Sequence, residues 1–412
     1  MTNMTDLPYF SEEHNQVRQL IRDFAEAEIR PVAAQLDRDS TFCWDNVKKM
    51  GELGFLGIPW DAGLGGAGMD YTSYIIAVEE LARVDASHSI TCSAHTTLGT
   101  SPIVEFGTDE QQKKFVPLLA SGRVLGGLGI TEPNAGSDVG GMETFAEEKS
   151  DHYVVNGSKI FITHGGVGEI FVIAARTQRN PEKRTAGITT FIVTKDTTDL
   201  EIAGRLGVGH AADLRKCPGF RAGKKESKMG WRSSDTCELV FENAIVPTEN
   251  VLGEVGQGFS VGMRTLDSGR IGVGALALGL AQGAFEQAAR YTSERKQFGR
   301  PISAFQATQF TLADMATQIR AARHLVYHAA WLYQAGKPFA TEAAMAKLYA
   351  SEVCMWVTTK AVQLHGGYGY TTEYPVERMM RDAKVNEIGE GTSEIQRLVI
   401  SRDVLSHYAA AT

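Results

Sequence analysis

The chain is poor in several things, and each shortage removes a class of protein. Cysteine occurs five times in 412 residues. Cys43, Cys92, Cys217, Cys237 and Cys354 are odd in number and far apart, and no Cys-x-x-Cys pair exists. That excludes a disulfide-stapled scaffold and a thiolate zinc site, and it predicts buried free thiols in a reducing cytoplasm. No run of about 18 apolar residues is available to span a membrane. The nearest, Ile271 to Phe285, is broken by glycines and preceded by Arg270, so it predicts a buried helix. Met1 to Phe10 lacks the basic-then-apolar order of a secretory signal. Positive charge is in deficit, 41 Lys and Arg against 49 Asp and Glu, for a net charge of −8. That argues against a general nucleic-acid binder. No Gly-x-Gly-x-x-Gly follows a strand and no Gly-Lys-Ser/Thr occurs, so any dinucleotide must be bound by other means. Internal repeats and low-complexity segments are absent.

The remaining composition is that of an ordinary globular protein, 43% apolar and 22% charged. Its length calls for more than one layer or domain. From Ser11 to Asp39, Val17, Leu20, Ile21, Phe24 and Ile29 recur at helical spacing. Ser11 is placed to cap that helix, and Pro31 to kink it. Further helical patterns cover Tyr71 to Val84 and the stretch from Thr108. From Val124 to Val246 the chain turns rich in Gly, Thr and Val, with short strand patterns at 153–155, 170–173, 190–193 and 237–241. Asn156-Gly157 reads as a hairpin turn. After Pro247 long helical patterns return, at about 259–293, 305–334 and 341–364. The expected fold is multidomain α+β: an N-terminal helical domain (1–125), a middle β-barrel or sandwich (126–248) and a C-terminal four-helix bundle (249–412).

Several segments carry chemical potential. In Glu387 to Arg397, Glu390 stands close to Gly389 and Gly391, and Thr392 or Ser393 can cap a following helix. The pattern suits a general base on a tight turn, and equally a solvated glutamate at a helix start. Leu128 to Asp138 is an irregular loop of glycines, hydroxyls and an amide that can offer N–H groups to a polar ligand, or be a simple turn. Phe161 and Thr163 share a strand face and could meet a flat ring, or belong to the core. Arg295 with Phe298 and Gln306, and the glycine-rich stretch Gln363 to Tyr370, could hold phosphates. Asp196 to Lys225 is long and polar for a connection between strands.

Taken in order, these motifs resemble the acyl-CoA dehydrogenase family over nearly the whole chain. They are Thr131-Glu132-Pro133 with Ala135-Gly136-Ser137-Asp138, Asn156-Gly157-Ser158-Lys159, Phe161-Ile162-Thr163 and Arg295-Lys296-Gln297-Phe298-Gly299. Gln363-Leu364-His365-Gly366-Gly367, Arg381-Asp382-Ala383 and Glu390-Gly391-Thr392-Ser393 complete the set. The resemblance implies a three-domain fold and FAD. Leu128, Ile130, Thr131 and Ser137 would lie along the flavin ring, with Phe161 and Thr163 beside it. Arg295, Phe298, Gln306, Gln363, Leu364, Gly366 and Gly367 would contact the dinucleotide across a subunit interface, and Thr392 and Glu394 would complete the site. Ser137 and a turn at Asp267 to Arg270 would hold the CoA portion, with Gly389 and Gly391 beside the acyl group.

Glu390 would be the base that removes the α-proton of an acyl-CoA thioester, with the β-hydride passing to flavin N5 to give a trans-2-enoyl-CoA. In some relatives the base lies just before the arginine equivalent to Arg270, and here that position is Gly269. Electron-transferring flavoprotein would be the redox partner, and the assembly a homotetramer built as a dimer of dimers. Gly389 replaces a tyrosine found in many relatives, and His210, Arg215 and Lys216 lie in the long 196–225 segment. Both features point to a branched, cyclic, aromatic or dicarboxylic acyl group. Ser89, standing where some glutaryl-CoA enzymes have arginine, argues against glutarate itself. The alternatives are a straight short-chain (butyryl-type) substrate, an assembly factor and an oxygen-using oxidase.

Overall fold

The computed structural model describes residues 10–179, 183–195 and 216–409. Helix α1 (Glu12–Phe24) begins with a reciprocal cap. The Ser11 hydroxyl accepts from the His14 N–H, and the His14 ring accepts from the Ser11 N–H. The chain then widens into a π turn at Ala25–Ile29 before α2 (Arg30–Asp39), which holds Pro31 in its first turn. Proline has no N–H to return to the preceding turn, so the predicted kink takes the form of this wider turn. Next come α3 (Trp44–Glu52), α4 (Tyr71–Ala82, capped by Asp70), α5 (Ala86–Ser93, capped by Asp85), α6 (Ser101–Phe106) and α7 (Asp109–Ala120). Thr108 and Gln111 form a capping box at the start of α7.

The middle region is one sheet. Its strands are β1 (Gly126–Gly129), β2 (Phe145–Glu148), β3 (His152–Thr163), β4 (Ile170–Arg176), β5 (Ile188–Thr194), β6 (Phe220–Lys225), β7 (Thr236–Pro247) and β8 (Val251–Leu252). The order is β6-β7-β3-β2-β4-β5-β8, with β1 parallel to the start of β4. β4 is covered on both faces: Phe171 and Ile173 enter the core between strands, while Ile170 and Val172 pack with Trp60, Phe115 and Leu119 of the helical region. That explains its unbroken apolar run.

Two expectations fail here. Asn156-Gly157 is no hairpin turn; it lies inside β3, at a bulge opposite β7. Gly157 has φ +141°, and any Cβ there would strike Thr144. Asn156 Oδ1 accepts from the Asn243 N–H at 2.8 Å, which holds the bulge. The second concerns 196–225: its last six residues are edge strand β6, not loop. Residues 196–215, with His210 and Arg215, lie outside the described residues.

The remaining chain is helical: α8 (Gly258–Glu294), α9 (Gln306–Gln334), α10 (Ala340–His365), α11 (Val376–Ala383) and α12 (Ser393–Ala409). Helix α8, 37 residues long, spans about 55 Å. Helices α8, α9 and α10 pack together, with α12 against α10. One apolar core joins this bundle to the N-terminal helices, so Ile21, Tyr74 and Leu81 share it with Ile271, Leu276 and Val326. Glycine makes the contact possible. A Cβ at Gly279 would fall 2.1 Å from the Glu79 carbonyl oxygen, and one at Gly283 2.0 Å from that of Arg83, so α8 and α4 meet backbone to backbone. A buried polar knot secures the same seam. Glu79 binds Arg323 at 2.7 Å and Arg18 at 3.2 Å, and Arg18 binds Glu80 at 2.7 Å. Burial opposes the charge on Glu79, yet Arg323 and Arg18 hold its carboxyl well below the usual carboxylate range. All five cysteines are buried. Among the described residues no helix is long and apolar enough to cross a membrane.

The seam gives a direct prediction. Gly279→Val inserts atoms where a backbone carbonyl already sits, and should lower stability by about 1–3 kcal/mol. Urea unfolding reads this; a variant as stable as its parent would mean that α4 and α8 do not touch at this point.

Candidate active site

Glu390 sits on the turn between α11 and α12 with φ +54°, and Gly391 follows at φ +94°. A non-glycine residue in the left-handed region is strained and needs surrounding structure to hold it there. Two side chains supply the hold. Gln396 Nε2 donates to the Glu390 carbonyl at 3.3 Å and to the Gly391 carbonyl at 2.8 Å, and Lys347 Nζ donates to the Gly391 carbonyl at 2.7 Å. Thr392 Oγ1 accepts from the Ile395 N–H, capping α12 as expected.

The carboxyl points inward. Residue 390 is only partly covered, but Oε2 is sealed from solvent and has no hydrogen-bond partner among the described residues. It fills the space in front of α8, where a Cβ at Gly269 would lie 2.3 Å from Oε2. Position 269 and the Glu390 carboxylate therefore compete for one volume, and only a glycine at 269 admits the carboxylate. Burial drives the Glu390 carboxyl up to about 7, against the pull of Lys347 and then Arg270. Asp267 and Arg270 stand one turn apart within α8, and they pair with each other. Burial raises the Asp267 carboxyl and lowers Arg270.

A second group gathers around the end of β3. Phe161 has φ +59° and is 62% exposed, although it interrupts a strand. An exposed, strained aromatic ring is a poor choice for stability alone. Phe161 is exposed and Thr163 half-buried, on either side of buried Ile162. The loop after β1 is fixed to β3 beside them. The Thr131 carbonyl accepts from the Ile160 N–H at 2.9 Å, and Lys159 Nζ reaches Glu132 Oε1 at 2.6 Å. Glu132 also accepts the N–H groups of Glu143 and Thr144, closing the loop that carries Ser137. Leu128 ends in β1, Ile130 is buried and Ser137 is exposed. Below this loop His95 Nδ1 accepts from the Gly126 N–H while its Nε2 donates to the Leu119 carbonyl, which fixes a neutral imidazole. Burial holds that ring down at about 3.

A third group lies at the far end of α8. Arg295, Gln363, Leu364, Gly366 and Gly367 line an open cleft of 530 Å³. Phe298 and Gln306 stand outside its walls, as do residues 128–163 and 387–394. Phe298 and Gly299 both have positive φ, at +52° and +77°, and connect the strands β9 (Lys296–Gln297) and β10 (Arg300–Pro301). This turn holds Phe298 out, 91% exposed. Glu394 is exposed in the first turn of α12. Within one chain, then, the expected ligand-binding residues fall into separate groups.

The sequence reading missed Lys347, Gln396 and the Lys159–Glu132 pair. Lys347 had a signal: it is the only charge between Glu342 and Glu352, and it shares a helix face with Ala343, Ala346, Ala350 and Cys354. A charge on an apolar stripe calls for a buried partner. Gln396 had none, because its role depends on the turn folding back.

This fold, with an inward carboxylate facing a glycine on the long helix, defines a class that the comparisons name. Family models for the acyl-CoA dehydrogenase N-terminal, middle and C-terminal domains match residues 11–123, 127–244 and 256–405. The chain belongs to the acyl-CoA dehydrogenase family, a family of flavin-dependent oxidoreductases. It is 53% identical to the short-chain specific acyl-CoA dehydrogenase of Clostridium acetobutylicum, covering 95% of this chain and 97% of that one. The solved butyryl-CoA dehydrogenase of Megasphaera elsdenii superposes with a TM-score of 0.89 at 45% identity, over 96% of this chain and 99% of that one. A structure described as the electron transferring flavoprotein of Acidaminococcus fermentans matches with a TM-score of 0.90 at 47% identity, over 96% and 98%.

The Lys159–Glu132 pair allows a stability test. Lys159→Met leaves a buried carboxylate unpaired and should cost about 3–5 kcal/mol, whereas adding Glu132→Leu should restore part of the loss. Chemical denaturation of the two single variants and the double variant reads the coupling; strict additivity would mean that the pair does not hold the loop.

Proposed function

We propose that this chain is an FAD-dependent dehydrogenase of straight short-chain acyl-CoA thioesters, with Glu390 as the α-proton base. The observation that carries the proposal is the inward carboxyl of Glu390, held on a strained turn with Oε2 sealed from solvent and without a hydrogen-bond partner among the described residues. A carboxyl at about 7 is strong enough to take a proton and still half-ionised at working pH. The short-chain reading rests on relatives named as short-chain and butyryl-CoA enzymes. The bulkier-acyl reading keeps one observation in its favour. A Cβ at Gly389 would meet nothing closer than 3.5 Å, so the position leaves room beside the base.

The residues fit the proposed cofactor. Exposed, strained Phe161 and neighbouring Thr163 suit the face of a flavin ring, and the Arg295 cleft with its glycine backbone suits the dinucleotide end. Their separation within one chain supports a site shared between subunits, as in a homotetramer built as a dimer of dimers. Bound FAD would supply the hydride acceptor. The chain supplies the rest. Glu390 takes the proton from Cα of the thioester. Among the described residues no group accepts from the Glu390 N–H, which leaves it available to the thioester oxygen as enolate charge develops. Arg270 and Asp267 stand on α8 beside the base, where they would meet the CoA arm. Electron-transferring flavoprotein is the proposed electron acceptor; the match to the Acidaminococcus structure supports that choice.

Anaerobic flavin bleaching against butyryl, octanoyl, isobutyryl, glutaryl, cyclohexanecarboxyl and benzylsuccinyl thioesters tests the reading. Butyryl-CoA should bleach fastest, and Glu390→Gln should lose at least about 10³-fold in rate while keeping its flavin. Bleaching confined to the cyclic or aromatic thioesters would transfer the substrate assignment to the wider-pocket reading. A yellow protein that no thioester bleaches would defeat the enzymatic reading altogether. The pH dependence has a fixed sign. The base must be ionised, so kcat/KM should rise about tenfold per pH unit below about 7 and level off above it. A profile flat from pH 5 to 8 would rule out Glu390 as the titrating base.

A further inference from the structure

Lys347 is an unusual lysine. It lies on the buried face of α10 and is fully covered. No carboxylate forms a salt bridge with it among the described residues, and its Nζ donates to one group, the Gly391 carbonyl, at 2.7 Å. That carbonyl also accepts from Gln396, so two side chains from two helices converge on the residue after the base. Without them the carbonyls of a turn with two successive positive-φ residues would be buried without partners.

We infer that Lys347 is a positioning residue for the base: it fixes the Glu390–Gly391 turn through its hydrogen bond and places a positive charge behind the carboxylate. The inference rests on Glu390 being the base. The charged groups facing Lys347 are Glu390, Glu387 and Glu394 on the turn and its flanks, and Arg270 on α8. Those facing Glu390 are Lys347 and Arg270, with the Tyr71 and Tyr74 hydroxyls of α4 on the other side. Lys347 opposes the burial of Glu390 more strongly than Arg270 does, while burial lowers Lys347 itself to about 8. Each group therefore keeps the other ionised near neutral pH. The division of labour with Gln396 follows from chemistry: both hold the turn, but only Lys347 brings charge.

Three variants of the flavin-loaded enzyme separate these parts. Lys347→Gln keeps a donor for the Gly391 carbonyl and removes the charge. Lys347→Met removes both. Gln396→Leu removes the hydrogen bonds to the Glu390 and Gly391 carbonyls and leaves the charge. The acidic limb of the kcat/KM profile should move up by about one pH unit in both Lys347 variants and stay in place in Gln396→Leu. At a pH well above the limb, kcat should fall about tenfold in Lys347→Met and Gln396→Leu and less in Lys347→Gln. Flavin content and absorption spectrum should match the parent in all three, because no group assigned to the flavin is altered. An acidic limb that stays in place in both Lys347 variants would overturn the electrostatic role. A high-pH kcat equal to the parent's in Lys347→Met would overturn the positioning role. If Lys347→Met fails to fold, Lys347→Gln still decides the charge and Gln396→Leu the turn. Glu390→Gln, run beside them, keeps the two claims apart: if it remains active the base assignment fails, whereas a dead Glu390→Gln with parental Lys347 variants fails only the present inference.

Discussion

The structure depends on how closely other elements can approach one helix. Along α8, glycines stand wherever another part of the chain presses in: Gly279 and Gly283 against the backbone of α4, Gly272 against the Ser93 hydroxyl, Gly269 against the Glu390 carboxyl. Backbone contact at 279 and 283 places α4 and the N-terminal helices in the same core as the bundle. The Glu79–Arg18–Arg323 knot then locks that placement, because separating these helices would leave buried charges unpaired. The loss of side-chain contacts at four positions is offset by the dispersion and burial that the close approach allows along the whole seam.

The same geometry creates the site. Once α4, α5 and the π turn Ala94–Thr100 that follows α5 are held against α8, the pocket in front of Gly269 is closed on the side of Leu98, Tyr71 and Tyr74. The turn between α11 and α12 has one direction left for the Glu390 carboxyl, into that pocket and out of water. Desolvation raises its proton affinity, and the two buried cations, Lys347 and Arg270, limit the rise. A carboxyl poised near neutrality thus follows from packing as much as from any single contact. The middle sheet contributes differently. Its bulges at Asn156–Gly157 and at Lys159–Ile162 break the simple alternation of β3 and turn Phe161 outward at a strained φ.

Much of this was legible in the residues. The helical period of Val17, Ile21 and Phe24 gave α1, Ser11 gave its cap, and the shift to Gly-, Thr- and Val-rich sequence located the sheet. The run of motifs from Thr131 to Ser393 pointed to the family, and the same resemblance singled out Glu390 as the candidate base. Where the reading failed, a local rule met a tertiary override. Asn-Gly is a hairpin signal only if the chain reverses, and Thr144 and Asn243 hold Gly157 in a bulge instead. The helical pattern over 259–293 already contains Asp267 and Arg270, and the turn that carries them is one turn of α8.

By itself, then, the sequence determined where the helical and β regions lie, through periodicity and capping that act over a few positions, and it pointed to the family through the order of its motifs, with Glu390 as the candidate base. Tertiary structure alone decided that Gly269 and Glu390 share one volume, that Lys347 and Gln396 meet at the Gly391 carbonyl, and that Phe161 and Thr163 stand apart from the Arg295 cleft within one chain. Each of these depends on the distance between segments far apart in the chain, and only the packed helices and the sheet set that distance.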